Sequence, residues 1–190
     1  GGRFAGHCQR RVMVKSRIAH LHKPNGTGAA RAHLRYIQRD GVTRDGEPGR
    51  LYSADADRLD GKAFRERCDG DRHQFRFIVS PEDGQQYDDL KSLTRRLMAQ
   101  MERDLGTTLD WVAVDHFNTG HPHTHIVVRG IDDDGRDLVI DGEYLTGGLR
   151  QRARELVSID LGPRTEVEVA DTLRHEIEQE RLTSIDRRLL

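Results

Sequence analysis

The sequence predicts an α/β fold of the layered α+β kind, in which helices pack on a central antiparallel sheet. Short segments with the polar–apolar alternation or the apolar run of strands are separated by amphipathic helical segments. A short turn rich in Asn, Gly and Pro joins the last two strand segments and predicts a central antiparallel hairpin. The predicted strands lie near residues 11–18, 72–80, 110–117 and 123–130.

The first predicted helix spans residues 29–38, after a loop at residues 23–28. Thr27 is its candidate N-cap and Gly41 its stop. Residues 40–62 are rich in Gly and Asp, which predicts a mobile excursion.

Three further helices follow in the sequence. An amphipathic helix is expected over residues 87–105, another over residues 143–158 and a charged one over residues 165–190. The helix at 87–105 carries one apolar stripe, made by Leu90, Leu93, Leu97, Met98 and Met101.

The composition suits a single domain with a large polar surface. The chain has 190 residues, of which 35% are hydrophobic and 33% charged. It has no apolar run of membrane-spanning length and no signal peptide, so we expect no membrane insertion. It begins Gly-Gly-Arg without Met, and we expect a fragment of a longer protein. Cys8 and Cys68 are expected to be free thiols in a reducing cytoplasm.

Four of the ten histidines lie within ten residues, at and after the predicted hairpin turn. His123 and His125 are two residues apart on a strand, so both imidazoles point to one face. His116 ends the facing strand and can converge with them. Three neutral imidazoles with open coordination positions predict a catalytic metal site. His121 is a candidate ligand or a donor to a ligand.

Positive charge is concentrated near the start of this nearly neutral chain. Residues 10–39 contain eight Lys and Arg residues and no Asp or Glu, although the net charge of the whole chain is only −1. Such a one-sided segment predicts a phosphate-binding face. The alternative is a solvated face whose cations pair with acids from elsewhere in the chain.

Tyr36 is the candidate nucleophile, because it lies on the first predicted helix among Arg31, Arg35 and Arg39. Cations and a metal favour the phenolate, and the electrophile that suits such a setting is a phosphodiester. Three other tyrosines, at positions 52, 87 and 144, lie in less basic surroundings.

The motifs together resemble the relaxases of conjugative and mobilizable plasmids, within the histidine–hydrophobic–histidine (HUH) endonuclease superfamily and its T-DNA border endonuclease branch. The nucleophile motif is matched by residues 32–39, AHLRYIQR. The second motif is matched by residues 77–81, FIVSP, and the metal motif by His116 with residues 121–125, HPHTH. Thr124 stands where the metal motif has a hydrophobic residue, and Asn118 where some relatives have Asp.

The resemblance implies a five-stranded antiparallel sheet and a specific chemistry. Tyr36 would attack DNA at an origin of transfer and form a 5′-phosphotyrosine. The metal ligands would be His116, His123 and His125. Asp115 precedes His116 in the chain and is therefore a candidate base or a candidate orienting residue for His116. DNA contacts are expected from Ser80 and from cations of the basic segment, which are Lys15, Arg17, Arg31, Arg35 and Arg39.

The resemblance also implies partners and an organisation. The metal would be Mn, Mg or Zn, with imidazole ligands favouring the softer ions. Partners would be single-stranded or origin-of-transfer DNA, accessory relaxosome proteins and a secretion or coupling protein, in a bacterial cytoplasm from which the DNA-linked protein can be translocated. Residues 1–160 would form the nuclease domain and residues 161–190 a helical extension leading to further domains. Independently of the resemblance, the composition of residues 40–62 suggests a lid over single-stranded DNA.

Alternative interpretations remain open at the level of sequence. A rolling-circle replication initiator or a transposase of the same superfamily would use the same chemistry. A metal phosphodiesterase that activates water would leave Tyr36 a structural role. A DNA-binding module with a structural zinc ion would bind DNA without cutting it.

Overall fold

An antiparallel sheet of four strands, ordered β1-β2-β4-β3, organises the computed structural model, which describes residues 9–186. The strands are β1 (Val12–His20), β2 (His73–Pro81), β3 (Trp111–His116) and β4 (His123–Arg129). All four predicted strands are confirmed, and their bounds differ from the predictions by a few residues at most. The hairpin of β3 and β4 is antiparallel as predicted, with His116 opposite His123.

The expectation of five strands was wrong for the described residues. The position beside β3 is taken by Tyr52, whose N–H and C=O bond Ala113 at 3.0 and 2.9 Å. The contact stays a single bridge because the chain turns at once, with the Ser53 N–H donating to the Ala56 carbonyl. A fifth ladder therefore does not form there.

Two different sets of side chains cover the two faces of the sheet. The face that carries Phe77, Trp111 and Ile126 is named the core face. It packs on the helices α3 (Lys91–Leu105) and α4 (Leu149–Leu161). The predicted apolar stripe of α3 is buried in this layer. A π-helical turn at Tyr144–Gly148 precedes α4, so the helix predicted at 143–158 begins irregularly.

The opposite face, which carries His116, His123 and His125, is named the histidine face. Two helices, α1 (Gly26–Ile37) and α2 (Gly61–Arg67), cover one half of it through a cluster that includes Leu34, Ile37 and Phe64. The half formed by β1 is more open, and Met13 is 48% exposed there. The histidine face is therefore apolar and covered on one side and polar and accessible on the other.

The start of α1 differs from the prediction. The helix begins at Gly26, and Asn25 precedes it with a φ of 66°, so Thr27 lies inside the helix and is not its cap. Asn tolerates this left-handed conformation better than most residues. Gly26 is needed because a Cβ there would collide with the carbonyl oxygens of His20 and Leu21.

Residues 40–62 are anchored to the fold at several buried positions and so are not a free excursion, although many of them, including residues 44–48, are exposed. Val42, Leu51 and Tyr52 are at most 1% exposed, and the Phe117 N–H bonds the Val42 carbonyl at 2.6 Å. The segment ends in α2, which sequence analysis missed because its seven residues are too few to show a period. A role as a lid over DNA stays a prediction.

The final helix, α5 (Glu166–Asp186), confirms the helical prediction near the end of the chain, apart from residues 187–190, which lie outside the described residues. Cys68 is a free thiol as expected, while Cys8 falls in the part of the chain that is not described. The domain boundary at residue 160 stays a prediction. Over residues 9–186, the model contains no helix with both the length and the apolar character needed to span a membrane.

Candidate functional site

The hairpin of β3 and β4 brings three histidines to one point of the histidine face. His116 pairs with His123 across the hairpin, and His125 follows two residues further on β4. One ring nitrogen from each of the three lies within 4.8 Å of the others. The convergence that strand parity predicted is therefore present in the structure.

Backbone carbonyls orient two of these rings. The Nε2 atom of His116 lies 2.7 Å from the Ile37 carbonyl oxygen, and Nδ1 of His123 lies 3.0 Å from that of His121. Because a carbonyl can only accept, these nitrogens carry the hydrogens and the other nitrogen of each ring keeps its lone pair. The Nδ1 atom of His116 is buried and has no hydrogen-bond partner.

Burial favours the neutral form of two of the three imidazoles, those of His116 and His125. Burial, with smaller contributions from the neighbouring His116 and His123, lowers the pKa of His125 to about 3. Burial also lowers the pKa of His116. Neutral imidazoles are the form that binds metals. The unpartnered His116 Nδ1, the orienting carbonyls and the all-nitrogen donor set fit a divalent transition metal.

Asp115 does not belong to this group, which corrects the sequence-based assignment of a base or an orienting residue. Neighbouring strand residues point to opposite faces, so Asp115 lies on the core face. Its carboxylate accepts hydrogen bonds from the Tyr52 hydroxyl, the Thr124 hydroxyl and the Leu90 N–H, at 2.6, 2.8 and 3.1 Å. Burial raises the pKa of Asp115. The orienting role at His116 belongs to the Ile37 carbonyl.

Tyr36 and His125 line the same cleft. This cleft has a volume of about 360 Å³ and is lined by residues of β1, β2, β4 and α1. Tyr36 is 56% exposed, and the guanidinium carbon of Arg39 lies 4.4 Å from the centroid of its ring. The three rival tyrosines instead donate their hydroxyls to carboxylates, those of Asp115, Asp160 and Asp104.

The predicted cationic residues divide into two groups around this cleft. Lys15 and Arg17 line it from β1, while Arg31 and Arg35 are exposed on α1. None of the ion pairs found in the described part of the chain involves these four residues or Arg39. Their charges are therefore available to an anion.

The remaining predicted residues support the hairpin. Ser80 is only 7% exposed and its hydroxyl donates to the Pro122 carbonyl at 3.2 Å, so the structure gives it a partner within the protein. His121 is exposed and does not join the three converging histidines in the described residues. Its contribution comes from its backbone carbonyl, which holds the His123 ring.

Two residues of the cleft escaped sequence analysis. His33 lies one helical turn before Tyr36, its ring centroid is 6.4 Å from that of His125, and its Nδ1 is buried without a partner. Arg76 lines the cleft from β2. The i, i+3 spacing of His33 and Tyr36, and the even spacing of Arg76 from Ser80 along β2, were the available signals.

Comparison with known families gives a match to the model described as "Relaxase: MobA/VirD2-like, nuclease domain", over residues 42–156. This range is more than half of the chain and contains all three converging histidines. It begins after Tyr36, so the tyrosine helix lies outside the match. No curated protein matches the chain significantly.

Proposed function

Because the chain belongs to the family of MobA/VirD2-like relaxase nuclease domains, we propose that it nicks and rejoins one strand of DNA at an origin of transfer through Tyr36. The nuclease class and the DNA substrate come with the family. The tyrosine, the metal dependence and the role in plasmid transfer are the proposal. One observation carries it: Tyr36 and His125, a member of the histidine cluster, line one cleft.

The proposed reaction is a transesterification. The Tyr36 oxygen attacks the scissile phosphorus, the P–O3′ bond breaks, and the proton lost by the phenol is matched by one gained at the departing 3′ oxygen. The fragment that carries the 5′ phosphate becomes linked to Tyr36, and the other fragment keeps a free 3′ hydroxyl. Since a phosphodiester is exchanged for a phosphodiester, a free 3′ hydroxyl can reverse the step and reseal the strand.

The residues of the cleft would prepare the substrate for this attack. A divalent metal ion held by His116, His123 and His125 would supply Lewis-acid polarisation of the scissile phosphate. The carbonyls of Ile37 and His121 hold two of these rings in their ligating orientation. Lys15, Arg17 and the arginines of α1 would bind the phosphates of the DNA strand. The reaction would take place in a bacterial cytoplasm. Accessory relaxosome proteins and a coupling or secretion protein would be its partners.

The test uses end-labelled single-stranded oligonucleotides covering the DNA that flanks the encoding gene, incubated with the protein and Mn²⁺. We expect a protein–DNA adduct that survives denaturing electrophoresis. It should disappear in Tyr36→Phe and persist in Tyr144→Phe, a matched loss of a hydroxyl on the other face of the sheet. Cleavage without an adduct, unaffected by Tyr36→Phe, would instead indicate hydrolysis by activated water.

A further inference from the structure

Two arginines oppose each other on the histidine face. Arg17 of β1 is the direct register partner of Arg76 of β2. Both line the cleft that holds Tyr36 and His125. Directly opposed residues in antiparallel strands have neighbouring side chains, and like charges in this position destabilise the pair. The arrangement costs the free protein stability unless an anion lies beside it.

The protein provides no such anion within its described residues. The residues that line the cleft include no Asp or Glu, and no ion pair there involves either arginine. Arg76 is half-buried, and its burial together with Arg17 lowers its pKa. Charges withdrawn from water are normally paired, so an unpaired arginine here indicates a ligand of opposite charge.

A buried amide fixes the position of Arg76. Gln74 is 1% exposed. In the amide orientation that satisfies both groups, its oxygen accepts hydrogen bonds from Nη2 and Nε of Arg76 at 2.7 and 2.8 Å. A neutral amide orients the guanidinium without neutralising it. The remaining N–H donors, and those of the exposed Arg17, stay free for an anion.

We propose that Arg17 and Arg76 form a phosphate-binding site that holds a backbone phosphate of the single strand at or beside the scissile bond. The inference rests on the proposed function for the identity of the anion as nucleic-acid phosphate. Guanidinium groups match the geometry of a phosphate and bind it through charge-assisted hydrogen bonds. A contact of this kind sets the position of the strand without reading its sequence.

The first test is the salt dependence of binding to a fluorescent single-stranded oligonucleotide. Each lost phosphate contact should reduce the slope of log K against log salt by about 0.7. We expect this reduction in Arg17→Gln and in Arg76→Gln. Arg103→Gln serves as the matched control, since this exposed arginine lies on α3 at the other face of the sheet. Equal slopes in all four proteins would overturn the proposal.

The second test measures Tm with and without inorganic pyrophosphate. Arg17→Gln removes the repulsion and leaves the contact of Arg76 with Gln74 intact, so its Tm without ligand should exceed that of the native protein. Pyrophosphate should raise the Tm of the native protein and of Arg103→Gln, and should do so much less for Arg17→Gln. A Tm that falls in Arg17→Gln, with an undiminished response to pyrophosphate, would show that Arg17 has a purely structural role.

A variant of the histidine cluster distinguishes phosphate binding by the two arginines from the formation of the Tyr36 adduct. His123→Ala should abolish the adduct formed with Mn²⁺, and in metal-free buffer it should keep the salt slope and the pyrophosphate response of the native protein. If the native protein forms the Tyr36 adduct while the arginine variants keep its slope, the phosphate site is wrong and the proposed function stands. If no strand yields an adduct while the arginine variants lose slope, the phosphate site stands and the proposed function fails.

Discussion

At the scale of single residues, the roles of neighbouring side chains are set by the strand face on which they lie. His116 and Asp115 are adjacent in the chain, but the His116 imidazole lies on the histidine face and the Asp115 carboxylate lies on the core face. The His116 ring donates to the Ile37 carbonyl, which leaves Nδ1 ready to bind a metal. The Asp115 carboxylate joins three elements of the core through Tyr52, Thr124 and Leu90.

Replacing Asp115 should therefore affect stability and not chemistry. Asp115→Ala leaves two hydroxyls and one backbone N–H without their acceptor, and each buried unsatisfied group costs about 1–3 kcal/mol. We expect a loss of at least about 3 kcal/mol in the free energy of unfolding, measured by urea denaturation. The rate of adduct formation per folded molecule should stay within about twofold of the native rate. A hundredfold loss of that rate with native stability would restore the catalytic assignment.

His33 makes stability depend on pH. Burial lowers its pKa to about 4, and Arg76 and Arg17 contribute to the shift. Below about pH 6.5 the unfolded chain binds a proton that the folded protein does not bind until about pH 4. The stabilisation is therefore complete above pH 6.5, and it declines as the pH falls towards 4, by up to about 1.4 kcal/mol per pH unit.

The measurement is urea denaturation between pH 4 and 7 in the presence of a chelator. His33→Gln should flatten the decline, although not completely, because His125 shares the same direction of shift. His121→Gln changes an exposed histidine outside the cluster and should leave the curve as it is. Parallel curves for the native protein and His33→Gln would contradict the prediction.

At the scale of elements, the hairpin supplies the three converging histidines, and the segment between α1 and α2 packs against the Ile37 carbonyl that orients one of them. Within this segment, Gly49 packs against the end of α1, and its N–H donates a hydrogen bond to the Arg39 carbonyl at 3.3 Å. A Cβ at this position would lie 2.9 Å from the Ile37 carbonyl oxygen and 2.6 Å from a methyl group of Val114. The carbonyl that orients His116 therefore depends on a glycine far from it in sequence.

Gly49→Ala should disturb the metal site without touching a ligand. The added methyl group must displace Val114 or the Ile37 carbonyl, which should cost about 1–3 kcal/mol of stability. Weakened orientation of His116 should reduce metal affinity by about tenfold or more. Isothermal titration with Mn²⁺ or Zn²⁺ measures this loss. Gly120→Ala, where the Cβ meets no atom within 4 Å, is the control. Native affinity in Gly49→Ala would refute the proposed coupling.

At the scale of the whole molecule, one buried arginine joins the start of β1 to the start of α5. Arg10 is 4% exposed. Its guanidinium donates to the Asp83 and Glu168 carboxylates at 3.1 and 3.0 Å and to the Gly162 carbonyl at 2.9 Å. These contacts hold the start of α5 against the sheet. Part of the basic segment is therefore structural. This agrees with the alternative interpretation, in which its cations pair with acids from elsewhere in the chain.

Two adjacent substitutions separate buried from exposed ion pairs. Arg10→Gln removes a buried guanidinium that bonds two half-buried carboxylates and the Gly162 carbonyl, and it should lower the free energy of unfolding by about 2 kcal/mol. Arg11→Gln removes ion pairs with Glu82 and Glu176 whose side chains are at least 40% exposed, and should cost less than about 1 kcal/mol. Guanidinium denaturation of both variants measures the difference. Equal losses would show that Arg10 does not hold the start of α5 against the sheet.

By itself, the sequence determined the features that depend on local period and parity. Alternation and apolar runs located the four strands, and the spacing of His123 and His125 on one strand placed both on one face. The turn between His116 and His123 fixed the hairpin. These features follow from neighbours in the chain, since a strand has a side-chain period of two wherever it lies.

Only the tertiary structure decided which distant groups meet. In the structure, Tyr52 pairs with the edge of β3, and Asp115 lies on the core face, away from the histidines. The Ile37 carbonyl contacts His116, although the two residues are 79 positions apart in sequence. The pairing of β1 with β2 also sets Arg17 against Arg76. Strand order and register arise from the packing of whole faces, so no local pattern specifies such contacts.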